Sequence, residues 1–203
     1  MDTITSTIQN AIVTRRSIRR YENQPVPSSL IEAVLDAGTW APSAHNRQPW
    51  RFAVLQDLAS KEKLALAMGQ RLRADLEADY VPPEVIDKDV SRSYDRITSA
   101  PVLIVLSLSM TDMDTYSDDK RNQNEYIMAV QSTAMAGQNI LLAAHGFGLG
   151  ACWMCAPLFC PDVVVDTLDL PTDWQPQGII TMGYAAQERT KTRHDLETKV
   201  LWR

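Results

Sequence analysis

The sequence predicts an α+β domain with a mixed sheet, and three observations lead there. The segment "APVLIVLSL" (100–108) is a continuous β-branched and leucine run entered through a proline, the pattern of a fully buried strand. Two further strand candidates, "WRFAVLQ" (50–56) and "GIITMGY" (178–184), lie far from it along the chain. Segments of helical periodicity fall between these strands, not in a block of their own, so helices and strands are interleaved.

In chain order, Asp2 to Val13 sets Ile4, Ile8, Ala11 and Ile12 on one helical face. Ser29-Leu30-Ile31-Glu32 has the form of a capping box ahead of a helix that buries Ile31, Val34 and Leu35 and ends at Gly38. After the first strand a long, mostly exposed helix spans about Ser60 to Asp79, and Tyr80-Val81-Pro82-Pro83 stops it. A further helix covers Glu84 to Ile97 and leads into the buried strand. "TDMDTYSDDKRNQN" (111–124) reads as a polar loop. A central helix then runs from about Asn124 to His145, and "HGFGLGACWM" turns into another strand. Pro161 suits the first turn of a short helix ending near Leu168. With 203 residues and no internal repeat, low-complexity segment or long linker, residues 1–203 are expected to form a single domain.

Composition removes several functions. Hydrophobic residues make up 45 % and charged residues 22 %, enough to bury a core. A formal charge of −5 argues against a protein that coats nucleic acid, which needs a basic face to displace counterions. Residues 126–161 carry no Asp, Glu, Lys or Arg, yet Gln131, Gln138, Asn139, His145 and four glycines interrupt them too often for a membrane span. That segment reads as a helix buried on nearly all sides followed by a buried strand. An acidic, polar start and three cysteines without an export signal suggest a cytoplasmic, reducing setting.

Four short stretches could carry chemistry. "TRRSIRRY" (14–21) gathers Arg15, Arg16, Ser17, Arg19 and Arg20 just after a helix, in a chain that is acidic overall. Guanidinium forks match phosphate oxygens two at a time, and a serine hydroxyl adds a third contact, although a solvated basic turn has the same composition. "APSAHNRQPW" (41–50) stiffens amide and hydroxyl groups between Pro42 and Pro49, suited to the edge of a heteroaromatic ring or simply to local turn bonds. Gly146, Gly148 and Gly150 do not form a dinucleotide fingerprint, because here the helix comes first and the strand after. They end the helix and allow close approach of its neighbours. Cys152 and Cys155 form a C-x-x-C inside the expected strand, without the four ligands of a zinc site, and read as ordinary cysteines ahead of redox or metal roles. Near the end, Lys191 and Arg193 are two cations at spacing two, able to point the same way in an extended segment and meet the phosphate held by Arg15 and Arg19.

Taken in order, Arg-x-Ser-x-Arg, Ala-Pro-Ser-Ala-x-Asn-x-Gln-Pro-Trp, a Gly-rich helix exit, then Gly-Tyr and Lys-x-Arg resemble the nitroreductase family of FMN-dependent oxidoreductases over nearly the whole chain. The resemblance implies a three-layer α/β/α fold with a central mixed, mainly antiparallel sheet and an interlocked homodimer. It implies that Arg15, Arg16, Ser17 and Arg19 bind the flavin phosphate and ribityl chain, with Lys191 and Arg193 as the C-terminal phosphate clamp. Pro42, Ser43, Ala44 and Asn46 would reach the flavin of the other subunit. Met154, Cys155 and Ala156 would lie along the reactive edge of its ring. Cys155-Ala156 replaces the Glu-Gly pair of many members, and no counterpart is found for the Asn and Lys that others place just before the buried strand; Arg92 and Arg96 lie nearby.

"GLGACWM" and "LDLPTDWQPQGIITMGY" are similar to a subgroup that includes the flavin domain of a deazaflavin-cofactor glutamyl ligase. The implied activity is reduction of an electron-poor small molecule, a nitro compound or quinone, by NADH or NADPH in a ping-pong mechanism. The alternatives are a biosynthetic flavoenzyme acting on a deazaflavin or on flavin itself, and a flavin carrier that does not turn over. The chemistry would belong to the cofactor, so no catalytic side chain and no metal are expected.

Overall fold

A computed structural model describes residues 3–203 and arranges them in three layers. The element order is α1 (Thr3–Thr14), α2 (Ser28–Thr39), β1 (Trp50–Leu55), α3 (Leu58–Ala78), α4 (Pro83–Thr98), β2 (Val102–Ser109), α5 (Asp119–Gly146), β3 (Gly150–Met154), α6 (Pro161–Leu168) and β4 (Trp174–Gly183). The sheet runs β1-β2-β4-β3, and all three strand pairs are antiparallel. The expected mixed character is confined to one isolated parallel bridge, Ser17 to Ala151, outside the named strands.

Strand β2 explains the layering. Its residues are buried from end to end, and successive side chains leave on opposite faces. Val102, Ile104 and Leu106 join Ile31 and Val34 of α2 and Ala136 and Ile140 of α5 in one core. Leu103 and Val105 join Leu64 and Met68 of α3, Ile97 of α4 and Val164 of α6 in another. A strand covered on both faces must read as an unbroken apolar run, and this one does.

Several boundaries differ from expectation for local reasons. Helix α2 starts at Ser28 behind Pro27, with no side-chain cap, so the capping box at Ser29 and Glu32 does not form. The helix ends at Thr39, one residue past the expected Gly38, which also serves packing: a Cβ there would lie 2.8 Å from Ile140 Cγ1. Asp57 and Asp118 accept from the backbone N–H of Ser60 and Arg121, and these caps start α3 and α5 earlier than hydrophobic periodicity suggested. The expected helix start at Asp2 lies outside the described residues.

Two apolar surfaces are left open. Ile4, Ile8 and Ile12 do share a face of α1, but they are 67 %, 57 % and 53 % exposed. Helix α5 buries one side only, leaving Ile127, Gln131, Ala134, Met135 and Gln138 exposed. The uncharged run is therefore not buried on nearly all sides within its own chain. Beyond Ala185 the tail is almost entirely exposed, including Leu196, Leu201 and Trp202. Among the described residues no helix is long and apolar enough to cross a membrane.

Trp153 seals the junction of α5 with the sheet, and small neighbours make room for it. A Cβ on Gly178 would lie 2.7 Å from Trp153 Cε2, well inside contact distance. Gly178→Ala should therefore destabilise the fold by roughly 1–3 kcal/mol through overpacking. Urea denaturation measures it, and an unchanged midpoint would show that Trp153 can move aside.

Candidate functional site

The segment after α1 is built as an extra edge to the sheet. Ile18 N–H donates to the Ala151 carbonyl at 3.0 Å, Glu22 N–H to Tyr184 at 2.9 Å, and Ala186 N–H to Arg20 at 3.0 Å. Residues 17–22 are thereby stitched first to β3 and then to the chain leaving β4. Close approach is possible because residue 150 is glycine: a Cβ there would lie 2.7 Å from Ile18 Cγ2. Gly148, at φ 79°, makes the turn that starts β3.

Tyr21 pins this arch from below. Its hydroxyl donates to the Ile18 carbonyl at 2.6 Å and meets the Thr181 hydroxyl at 2.7 Å. Burial pushes the phenol pKa well above its ordinary value, with the Thr181 hydroxyl opposing.

The arch brings opposite ends of the chain together. Arg15, Arg16, Ser17, Arg19, Arg189, Lys191 and Arg193 line one cavity of about 200 Å³. All six sequence-derived residues from these two segments are therefore present, joined by Arg189. Its place two residues before Lys191, in a 189-191-193 alternation, was the available signal. Among the described residues none of these six cations has a carboxylate within ion-pairing distance. Arg16 Nη1 holds the Val13 and Arg15 carbonyls at 2.6 and 2.8 Å, while its Nε is buried without a partner. Six positive charges left uncompensated around a small space favour an anion with several acceptor oxygens.

Further along β3, Met154 and Ala156 are half-buried against the second core, and Cys155 is exposed at the strand's end. Trp153 Nε1 donates to Cys155 Sγ at 3.1 Å, and the three cysteines are free thiols. Cys152 is buried on β3. Burial raises its pKa, while the charges of Arg19 and Arg96 and the Ser17 hydroxyl pull it down.

Pro42, Ser43, Ala44 and Asn46 lie elsewhere: none of them lines the arginine cavity of its own chain. Ala44 N–H donates to Ser132 Oγ of α5 at 3.2 Å, and Ser43 Oγ accepts from Gln48 N–H at 3.1 Å. His45, Asn46 and Gln48 all have φ near +50°, so this loop is held in a strained, outward-turned form.

Comparison with known proteins bears on the family and the fold. The nitroreductase family's sequence profile matches residues 12–184. A NADH dehydrogenase of Thermus thermophilus is 29 % identical over 221 aligned residues, covering 96 % of this chain and 95 % of its own. A protein of Methanothermobacter thermautotrophicus, provisionally named NADH dehydrogenase/NAD(P)H nitroreductase, is 32 % identical over 182 residues, covering 89 % of this chain and 78 % of its own. The crystal structure of a protein from Desulfovibrio desulfuricans, described as a nitroreductase in complex with FMN, superposes with a TM-score of 0.74 at 26 % identity, covering 97 % and 96 % of the two chains.

The Tyr21 anchor makes a pH-dependent contribution. The native state holds the phenol protonated, so its stabilisation is complete below about pH 10 and is lost as pH rises towards the folded value. Tyr21→Phe should cost roughly 1–2 kcal/mol at neutral pH and flatten the loss of stability under alkaline conditions. Denaturation midpoints of both proteins across that range test it, and parallel alkaline slopes would refute it.

Proposed function

This chain belongs to the nitroreductase family, and from that premise we propose that it is an FMN-dependent oxidoreductase, reducing electron-poor small molecules with NADH or NADPH. The observation that carries the reading is the cavity of six unpaired cations, assembled from residues 15–19 and 189–193. It matches the demand of a phosphate dianion, and the partnerless Arg16 Nε is a buried donor in want of such an acceptor. Bound flavin would supply the hydride chemistry that no side chain here offers.

The chain's own residues do the holding. Arg15, Arg16, Ser17 and Arg19 would grip the phosphate and ribityl chain from one side, and Arg189, Lys191 and Arg193 from the other. Ala151 lies beside the arch, and Cys155 follows the last residue of the same edge strand four positions on, about 13 Å at strand rise. That distance suits a ligand with a phosphate at one end and a flat ring at the other. Met154, Cys155 and Ala156 would then back the ring, and Arg19 with Arg96 would set positive charge beside it, where added electron density is stabilised. Donor and acceptor would use one open face in turn, the basis of a ping-pong order.

The functional unit is proposed to be a homodimer. The bare face of α1, the open stripe of α5 and the unpacked Leu196, Leu201 and Trp202 are the apolar surface that a second copy would cover. The same pairing would let Pro42, Ser43, Ala44 and Asn46 complete the partner's flavin site. Three free thiols suit a cytoplasmic setting.

The purified protein should be yellow, bleach anaerobically with a reduced nicotinamide, and recover with a quinone or nitro compound. A protein that never takes up FMN would rule the reading out. Removing one cation of the cavity, as in Arg193→Ala, should weaken FMN binding roughly 10- to 100-fold, as expected for a charge-assisted bond. Light scattering should return twice the chain mass; a monomer that keeps its flavin would dismiss the dimer.

A further inference from the structure

A second basic space adjoins the first, and most of its cations are not among those that line the flavin phosphate cavity. It is an open groove of about 500 Å³ between α4 and the returning tail. Its cationic lining is Arg19, Arg20, Lys88, Arg92, Arg96 and Arg189, against a single carboxylate, Asp95. Arg19 and Arg189 are shared with the smaller cavity, so the two spaces adjoin.

The α4 wall is a deliberate face. Lys88, Arg92, Arg96 and Ser99 recur every three or four positions, which stacks them along one side of the helix. Attraction to the helix C-terminus accounts for Arg96 in the last turn, but not for Lys88 two turns earlier. Arg92 is exposed and pairs with Asp89 at 2.7 Å. For Arg19, Arg20, Lys88, Arg96 and Arg189 no carboxylate lies within ion-pairing distance among the described residues. Burial, then the charges of Arg92 and Arg19, pull the Arg96 pKa down, so these cations repel one another as they stand. A chain with a net charge of −5 has no general excess of cations to spread here.

We infer that this groove is a second phosphate site, which takes the 2′-phosphate of NADPH and selects that dinucleotide over NADH. The inference rests on the oxidoreductase reading above. NADPH differs from NADH only by that phosphate, and a phosphate dianion is the group that two or three convergent Arg and Lys side chains recognise most strongly. Arg20, Lys88 and Arg92 contribute only to this groove and not to the flavin phosphate cavity.

Two measurements on the FMN-loaded protein decide it. Steady-state kinetics should give a lower KM for NADPH than for NADH. The exposed double variant Lys88→Gln/Arg92→Gln should raise KM for NADPH about 10- to 100-fold and leave KM for NADH and flavin content unchanged. In parallel, calorimetric titration should show adenosine 2′,5′-bisphosphate binding to the wild type and not to the variant, with 5′-AMP weak on both. Equal KM values for the two dinucleotides in the wild type, or a variant that weakens both alike, would overturn the inference. Failure to oxidise either dinucleotide would instead count against the parent reading. The bisphosphate titration would still judge the groove, since absence of binding to the wild type defeats it.

Discussion

The seam between residues 17–22 and the edge of the sheet is the interaction on which the site depends. Three backbone hydrogen bonds, from Ile18, Glu22 and Ala186, tie the arch to β3 and to the end of β4. The Tyr21 hydroxyl locks it to Thr181 on β4. Without this seam the arginines would be a solvated turn after α1, because nothing in their own sequence neighbourhood opposes them. With it, they face a tail that leaves β4 beside them. The same register sets Ala151 at the arginine end of β3 and Cys155 at its other end.

Crowding cations this closely is unfavourable for an empty protein, and the fold supplies the compensation elsewhere. The sheet beneath the arch is buried on both faces by α2 and α5 on one side and α3, α4 and α6 on the other. A core of that kind is stiff and close-packed. It can hold like charges in place until an anion neutralises them, so binding energy goes into contact and not into ordering the site. The groove along α4 extends the same field outward, placing Lys88 and Arg92 where an approaching anionic ligand would first meet the molecule.

Where the structure departs from local sequence signals, another layer of packing has won. Gly38 stands next to the helix end at Thr39, as a terminator would, and its lack of a side chain also serves contact with Ile140. The Ser29 and Glu32 box is set aside because the helix begins behind Pro27, two residues earlier than that motif requires. Ile4, Ile8 and Ile12 have the periodicity of a buried face and remain exposed, since burial of an amphipathic helix needs a partner surface and this chain alone does not provide it.

The sequence by itself determined the layers and the kind of ligand. An unbroken apolar run at 102–106 requires cover on both faces, and two arginine- and lysine-bearing segments in an acidic chain announce an anion. The layers follow from residue type and spacing, which are local properties, and the ligand from the order of four motifs that are ambiguous one by one. Tertiary structure decided which cations meet. Residues 15–19 and 189–193 are some 170 positions apart, and Arg96 and Lys88 sit on a helix whose charged face looks like any solvated surface until the arch and tail are laid against it. Convergence of that sort depends on strand order and on a few backbone bonds at a sheet edge, and no local pattern in the chain records either.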